Sequence, residues 1–537
     1  MYSREVGRRI RPTCEVLFLV IWALVICIGC QGEKTEYVQI TKGDLRNKIA
    51  GGWAGKIIGV AFGGPTEFQY NGIINEDEIA WDPASVRDAI WQDDLYVQMT
   101  FMMTMDEYGI DAPAEKFAKD FADAGYMLFH ANRKARKNVW DGIIPPLSGH
   151  PQYNLHADDL DFQIEADFIG FMNPGMPRSA NTLCDRIGHI MNYGDGVYGG
   201  MFVSALYAAA YLESDIETIV RTALASIPSE SEYAQVIADV LEGYKSDPTD
   251  WRAGWHTLQD KWGTVDICGA LDPFSIDAKL NGAYIAMGLL YGGGNFGKTM
   301  EISTRCGQDS DCNPSNAAGV LGIILGYEQI PEIWKRDIPV MADQTFIHTS
   351  YSFNSVVDRT LDYALELIQR YGGYVKDDIC HIQVQSPEPP ELEVSFPDLK
   401  AAYRTTVQDD AAWEWNGNWQ EVVHRQWGSS ETQRIADEEG SAFVFSFSGA
   451  GAVIMGRWDR DGGKADVYVD GEYVREIDNY YWVAETGAGF QWLNSAHLFH
   501  VLDLAPGQHT IRMVVNGKKN EKSTGTKMRV SRAIVYN

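Results

Sequence analysis

A chain of 537 residues is long for one domain, and its 45 Lys plus Arg against 74 Asp plus Glu give a net charge of −29 and a pI near 4.7. So acidic a surface argues against nucleic acid and an anionic membrane face as partners. With 45% hydrophobic and 12% aromatic residues, 16 of them Trp, general disorder is excluded and large cores are expected.

The first 29 residues read as an export signal. Arg4, Arg8, Arg9 and Arg11 precede an apolar run over 16–28, short for a membrane span and right for a signal core. Cys27-Ile28-Gly29-Cys30 resembles a bacterial lipoprotein box, which implies cleavage after the small Gly29 and lipidation of Cys30; an uncleaved anchor is the competing reading. The expected address is the bacterial cell envelope, periplasmic or surface-exposed, with membrane contact only through that lipid. Of eight cysteines, 184, 268, 306, 312 and 380 would remain beside Cys30, with no spacing that implies a disulfide framework. Cys306 and Cys312 could pair, although free thiols are expected.

A polar tether over 30–42 leads to a helix over 44–62, in which Gly51, Gly55, Gly59 and Gly63 form one flat face. Such spacing also serves membrane dimers, but Lys48 and Lys56 argue for a soluble core helix. Trp91-Gln92-Asp93-Asp94-Leu95 then sets two adjacent carboxylates at the start of a helix over 94–108, whose methionines 99, 102, 103 and 105 are expected to fill core. Another helix covers 114–124. Residues 130–200 are rich in loop formers; within them Asp158, Asp161 and Glu165 share a helical face, as a solvated face or a substrate contact. Helical patterns follow at 201–212, 216–225, 233–244, 251–262, 278–291 and 356–371.

Between the last two lies Gln308-Asp309-Ser310-Asp311-Cys312-Asn313-Pro314. Read as extended backbone, the stretch points both carboxylates to one side, with Asn313 as N-cap and Pro314 opening a buried helix. An isolated Asp-x-Asp is more often a capping turn. Two acidic pairs in one chain, however, are tolerable mainly where a cation gathers them, and oxygen ligands without a His or Cys cluster favour Mg²⁺, Mn²⁺ or Ca²⁺.

Three motifs resemble the ADP-ribosylglycohydrolases, all-helical enzymes with two bound magnesium ions. The Gly-Asp-Ala-x-Gly segment and following Glu of that family look like residues 55–63 and Glu67. Its Thr-Asp-Asp-Thr looks like Gln92-Asp93-Asp94-Leu95, and its Gly-Asp-Thr-Asp-Thr-Asn like residues 308–313. The likeness spans about 43–372. It implies two divalent cations, Mg²⁺ or Mn²⁺, held by Asp93, Asp94, Asp309 and Asp311. Gln92 could add a carbonyl oxygen; Cys312 replaces a Thr and is a poorer ligand. Glu67, Asp93 and Asp94 become the catalytic carboxylates. Asp161, and a loop with His189, Asn192 and Asp195, become substrate contacts, with a structural histidine the alternative at His189.

Ser386-Pro387-Glu388-Pro389-Pro390-Glu391 breaks the helical pattern, giving an all-α ADP-ribosylglycohydrolase-like domain over 43–385 and a linker over 386–397. From 398 to 537 the period becomes two, with strands at 442–447, 465–469, 497–502, 508–515 and 528–531 and turns at Asp470-Gly471, Pro506-Gly507 and Asn516-Gly517. This predicts an all-β sandwich similar to the jelly-roll accessory modules of carbohydrate enzymes. Trp413, Trp415, Trp419, Trp427, Trp458, Trp482 and Trp492 serve its core or a sugar platform. The chain thus reads as an exported, metal-dependent glycosidase for a carbohydrate or ribosyl-containing substrate. The alternatives are a true ADP-ribosyl-acceptor hydrolase and an inactive glycan-binding lipoprotein.

Overall fold

Thr41 accepts from the backbone N–H of Asp44 at 2.9 Å and starts a 22-residue helix, α1 (Lys42–Gly63), which is buried along most of its length. The computed structural model describes residues 37–537 except 265, 270, 410, 427–428 and 484–495. The export signal, Cys30, Trp427 and Trp492 therefore lie outside the described residues.

Among the described residues sixteen more α-helices follow: α2 (Asp93–Tyr108), α3 (Ala114–Asp123), α4 (His130–Trp140), α5 (Asp161–Glu165), α6 (Asp167–Phe171), α7 (Pro177–Gly188), α8 (Asp195–Ala210), α9 (Ile216–Leu224), α10 (Glu232–Ser246), α11 (Trp251–Trp262), α12 (Ala278–Gly292), α13 (Phe296–Arg305), α14 (Cys312–Leu325), α15 (Glu332–Lys335), α16 (Ile338–Met341) and α17 (Phe353–Arg370). Helices α8, α12 and α14 are buried on nearly every face, as central helices of a large bundle are. Met99, Met102 and Met105 fill core as expected.

The glycine face of α1 packs on the backbone of α14. A Cβ added at Gly51 would lie 2.0 Å from the Gly322 carbonyl oxygen, at Gly55 2.2 Å from that of Ala318, at Gly59 2.4 Å from that of Pro314 and at Gly63 1.9 Å from that of Ser310. Residue numbers rise on one helix as they fall on the other, so the pair is antiparallel. The end of α1 meets the start of α14.

The helical part is not wholly α. A three-stranded antiparallel sheet, ordered β1-β3-β2, joins β1 (Tyr37–Thr41), β2 (Tyr374–Lys376) and β3 (Ile379–Gln383). The tether therefore gives way at Tyr37 to a strand that ties the start of the helical part to its end, a long-range pairing that no local pattern announces.

The segment 386–397 has no regular structure, yet it is pinned to α7 and α8. The Tyr198 hydroxyl donates to the Glu391 carbonyl at 3.2 Å, Ser395 Oγ to that of Tyr193 at 3.0 Å, and Glu393 pairs with His189 at 3.0 Å. It is a strap more than a free linker.

Beyond it stand β4 (Ala401–Thr406), β5 (Trp413–Asn416), β6 (Gln420–Gln426), β7 (Ser429–Ala436), β8 (Ala442–Gly449), β9 (Gly451–Gly456), β10 (Gly463–Val469), β11 (Glu472–Asp478), β12 (Ala496–Val501), β13 (Gly507–Lys519) and β14 (Met528–Tyr536). They form an antiparallel sandwich of two sheets, ordered β11-β10-β13-β8-β5 and β12-β9-β14-β7-β6, with β4 also on β14. Asp470 and Gly471 turn β10 into β11 with φ of +50° and +86°, as a two-residue hairpin turn requires. Asn516-Gly517 is not a turn: it lies inside β13, where pairing with β10 shifts register and Gly517 takes a positive φ. Trp413 and Trp458 are core.

Leu155 and Ile267 of the helical part share an apolar cluster with Val453, Met455, Ile534 and Tyr536 of the sandwich, and Tyr536 donates to the Ile267 carbonyl at 2.9 Å. Residues 37–537 form one compact unit.

Gly59→Ala tests the helix contact. Alanine normally stabilises a helix interior by about 1 kcal/mol over glycine; here the clash should reverse the sign and lower stability by about 2 kcal/mol in a denaturant titration. A second test is the strap. Burial opposes the His189 imidazolium, but Glu393 and Asp185 outweigh it and hold its pKa above the ordinary value. Burial opposes the Glu393 carboxylate too, and His189 outweighs that and holds it below. The raised histidine stabilises fully below its unfolded pKa and loses this as pH rises; the depressed carboxylate stabilises above its unfolded pKa and loses this as pH falls. Both contributions are complete between about pH 4.3 and 6.5. Glu393→Gln should cost about 1 kcal/mol at pH 6 and clearly less at pH 9.

Candidate active site

Past Gly63 a single 3-10 turn, Gly64–Thr66, redirects the chain. Phe68 N–H donates to the Gln308 carbonyl at 3.0 Å, Gln308 N–H to that of Tyr70 at 3.2 Å, and the hydroxyls of Thr66 and Ser310 meet at 2.9 Å. These bonds bring Glu67 over Asp309 and Asp311, one carboxylate oxygen of each lying within 4.8 Å of the others. From the start of α2, Asp94 joins Asp311 and the Cys312 sulfur in a second group of the same tightness. Asp311 belongs to both, so the two sequence motifs meet.

The Asp-x-Asp segment is a turn and not extended backbone. Gly307 and Gln308 have φ of +82° and +56°, and a Cβ at Gly307 would lie 2.1 Å from the Tyr70 carbonyl. The N-cap of α14 is Asp311, whose side chain accepts from Cys312 N–H at 2.9 Å. Asn313 is free to turn inward and donates to Asn281 Oδ1 at 2.9 Å.

Asp94, Asp309 and Asp311 are buried, while Glu67 reaches them from an exposed rim. Burial, then the charge of Asp311, pushes the Asp93, Asp94 and Asp309 carboxyls above their ordinary range, with Lys56 pulling Asp94 back; Glu67 is raised first by Asp311 and then by burial. Asp94 Oδ1 and Asp309 Oδ1 are buried without a hydrogen-bond partner. A group of crowded acids with unpartnered oxygens, all hard donors, fits a divalent cation of the Mg²⁺ or Mn²⁺ type.

One cation is built in. The fully buried Lys56 Nζ lies 3.6 Å from Asp94 Oδ1 and 2.8 Å from Asp167 Oδ2, and donates to the Ile164 carbonyl at 2.9 Å. Asp167 also accepts from Asn316 at 2.9 Å and from the Tyr207 hydroxyl. The Cys312 thiol, held protonated by burial, donates to Asp94 Oδ2 at 3.3 Å. It acts as a donor to a candidate ligand. The expected Cys306–Cys312 alternative is settled as well: both are free thiols.

The remaining sequence candidates are placed as follows. Gln92 is the N-cap residue of α2, makes no side-chain cap, and sets its amide beside Gly64. Asp161 is buried, not a solvated face; it accepts from the N–H groups of Ala131 and Asn132 at 3.2 and 3.0 Å and thereby holds the start of α4. Asn192 donates to the Asp159 and Ala157 carbonyls at 2.7 and 3.0 Å and accepts from Phe162 N–H. Asp195 accepts from Tyr233 N–H at 3.3 Å. His189 has both nitrogens engaged, by the Asp185 carbonyl at 2.6 Å and by Glu393. Each of these contacts serves the framework, and among the described residues Asp161, Asp195 and His189 fall in none of the clustered ligand groups.

The ADP-ribosylglycohydrolase family profile matches residues 41–370, an interval that contains Glu67 and all four aspartates. The chain belongs to the ADP-ribosylglycohydrolase family. A curated relative, the A type blood alpha-D-galactosamine galactosaminidase of Flavonifractor plautii, is 29% identical over 154 residues, which is 28% of this chain and 12% of that enzyme. The chain thus spans only a small part of that relative. Among solved structures, an ADP-ribosylglycohydrolase-related protein complex is similar at 12% identity and a TM-score of 0.42, over 60% of this chain and 98% of that one. The CBM36-1 domain of a multidomain xylanase from the hindgut metagenome of Trinervitermes trinervoides is similar at 12% identity and a TM-score of 0.17, over 25% and 97%.

Within this family member the two kinds of site residue separate by experiment. Asp309→Asn should weaken Mn²⁺ binding about 100-fold or more in a calorimetric titration with the circular dichroism unchanged, whereas Cys312→Ser should stay within about tenfold of the parent.

Proposed function

We propose that this ADP-ribosylglycohydrolase-family protein is a divalent-metal-dependent glycosidase of the bacterial cell envelope that hydrolyses a furanosidic or related bond in a neutral glycan or glycoside. The observation that carries the reading is the convergence of Glu67, Asp94, Asp309 and Asp311 on one end of the helical bundle, with buried carboxylate oxygens of Asp94 and Asp309 left without a hydrogen bond; the expected ligand Asp93, at the start of α2, is in neither clustered group. Asp94, Asp309 and Asp311 with Glu67 would hold one or two cations, Mg²⁺ or Mn²⁺, and such a cation supplies Lewis-acid polarisation and an acidified water.

The protein's own groups supply the rest. Glu67, exposed at the rim, is placed to accept a proton from water as oxocarbenium character develops in the sugar. The Cys312 thiol, donating to Asp94 Oδ2, and the charge of Lys56, 3.6 Å from Oδ1, orient the Asp94 carboxylate before substrate arrives and leave Oδ1 without a hydrogen bond. Phe68, next to Glu67, packs against Phe274 with ring centroids 5.0 Å apart, and both are partly exposed, a surface on which a sugar face can stack.

A neutral substrate is favoured over ADP-ribose by how the nearby cations are used. A diphosphate needs cations, and three that lie close to the motifs are committed elsewhere. Lys56 serves Asp94 and Asp167, Arg87 pairs with Asp337 at 2.7 Å, and Arg305 donates to the Asn75 and Asp77 carbonyls at 2.7 and 2.9 Å. Export rests on the sequence of the first 30 residues; Cys30→Ala should leave the protein unprocessed and unlipidated, and finding the wild-type body in the cytoplasm would contradict the envelope assignment.

Aryl glycosides and oligosaccharides assayed beside ADP-ribosylated protein decide the substrate class. The expected result is hydrolysis of neutral glycosides that chelator abolishes and Mg²⁺ or Mn²⁺ restores, with Asp309→Asn lowering kcat/KM about 10³-fold. Efficient ADP-ribose release with no glycoside cleavage would establish the family's usual activity instead.

A further inference from the structure

A second group of metal-type donors shares no residue with the acidic cluster, although Phe274 links the two, stacking on His130 at 5.7 Å and packing on Phe68 at 5.0 Å. His130, His156 and Asp159 place ring nitrogens and a carboxylate oxygen within 4.8 Å of one another. His156 Nδ1 lies 2.5 Å from Asp159 Oδ2, and His130 Nδ1 lies 3.9 Å from the same oxygen. His130 opens α4 with φ of +39°, an uncommon conformation outside glycine that persists only where its surroundings impose it. The turn carrying His156 and Asp159 is held by the Asn192 amide, which donates to the Asp159 carbonyl.

Charge gives the second line of argument. Asp159 is 1% exposed. Asp266, Asp161 and Asp158 crowd it, and the groups that face it are two imidazoles and the Cys268 thiol, whose sulfur lies 3.4 Å from both carboxylate oxygens. A carboxylate so enclosed is stable when a cation compensates it. The His130 side chain is 28% exposed, which leaves one side of the cluster open to a small ion.

The donor set, two imidazole nitrogens and one oxygen with a thiol behind it, suits zinc and its neighbours better than Mg²⁺. Zinc bonds of about 2.0–2.1 Å in tetrahedral geometry hold ligand atoms about 3.3 Å apart. Reaching that spacing needs the His156 pair to open and the His130 pair to close, each by less than about 1 Å. The sandwich packs against the site, because His497 of β12 stacks on His156 with ring centroids 4.6 Å apart and an interplanar angle of 15°.

We propose that His130, His156 and Asp159 bind a zinc-class transition metal at the junction of the helical part and the sandwich, with Cys268 orienting the Asp159 carboxylate. This site shares no ligand with the Asp94–Asp309 cluster. The test therefore uses the full chain carrying Asp94→Ala and Asp309→Asn, which removes the acidic cluster as a competing site. After zinc loading and desalting, elemental analysis should return one zinc per chain, and Co²⁺ in its place should give the intense visible absorption of a four-coordinate site. His156→Gln or Asp159→Asn added to that background should lose the metal and the absorption. The partly exposed His130→Gln, checked for an unchanged circular dichroism spectrum, should weaken zinc binding about 100-fold even if a core variant fails to fold. Zinc below 0.1 equivalent in the background chain, or zinc retained by well-folded His130→Gln at unchanged affinity, would overturn the proposal.

Discussion

The structure depends on the direct contact between the backbones of α1 and α14. Gly51, Gly55, Gly59 and Gly63 recur every four residues, close to the helical repeat, so they form one face, and every one of them meets a carbonyl oxygen of the segment 310–322 at a distance that leaves no room for a side chain. Two helices this close cannot slide relative to one another. The end of α1 and the start of α14 are thereby registered, which is why Glu67 and Asp309, far apart in sequence, face each other across a span set by hydrogen bonds at Phe68 and Gln308. Precision at the site is inherited from the helix contact.

Electrostatics then explains why the site carries so many acids. Burial raises the cost of ionising Asp94 and Asp309, and the charge of Asp311 between them raises it further. Lys56 offsets part of this for Asp94 and Asp167, but Asp94 Oδ1 and Asp309 Oδ1 keep no hydrogen-bond partner. The remaining negative charge is what the proposed cation would match. The Cys312 thiol supports that role from behind, as a donor to Asp94. The same logic, with nitrogen donors in place of oxygen, applies around Asp159.

How much could be read from the chain follows from how local each signal is. The glycine repeat, the Met-rich helix and the period-two strands are local patterns, and the helices and strands read from them are found, whereas α4 and α7 arise within the loop-rich stretch 130–200 and α13, β6, β7 and β9 carry no pattern that was read. The two acidic motifs were legible as a pair because mutually repelling carboxylates need a shared reason. Their geometry was not: Asp309 and Asp311 sit in a turn with Gln308 at positive φ, and the N-cap is Asp311, not Asn313. Asp167, Asn316 and Tyr207 carry no motif, since they support Lys56 through contacts between distant segments. The strand at residues 37–41 and the pinned strap at 386–397 were hidden for the same reason. The cluster of His130, His156 and Asp159 is likewise assembled by the fold, and His497 of the sandwich packs against it.

The central claim is that the helix contact assembles a cation site from Glu67, Asp94, Asp309 and Asp311. Anomalous diffraction from crystals of the protein grown with Mn²⁺ tests it most directly. The account predicts a manganese peak within bonding distance, about 2.2 Å, of oxygens from Asp309 and Asp311 and of at least one from Glu67 or Asp94. A fully occupied manganese elsewhere on the chain, with the four carboxylates bonded only to one another or to water, would contradict it.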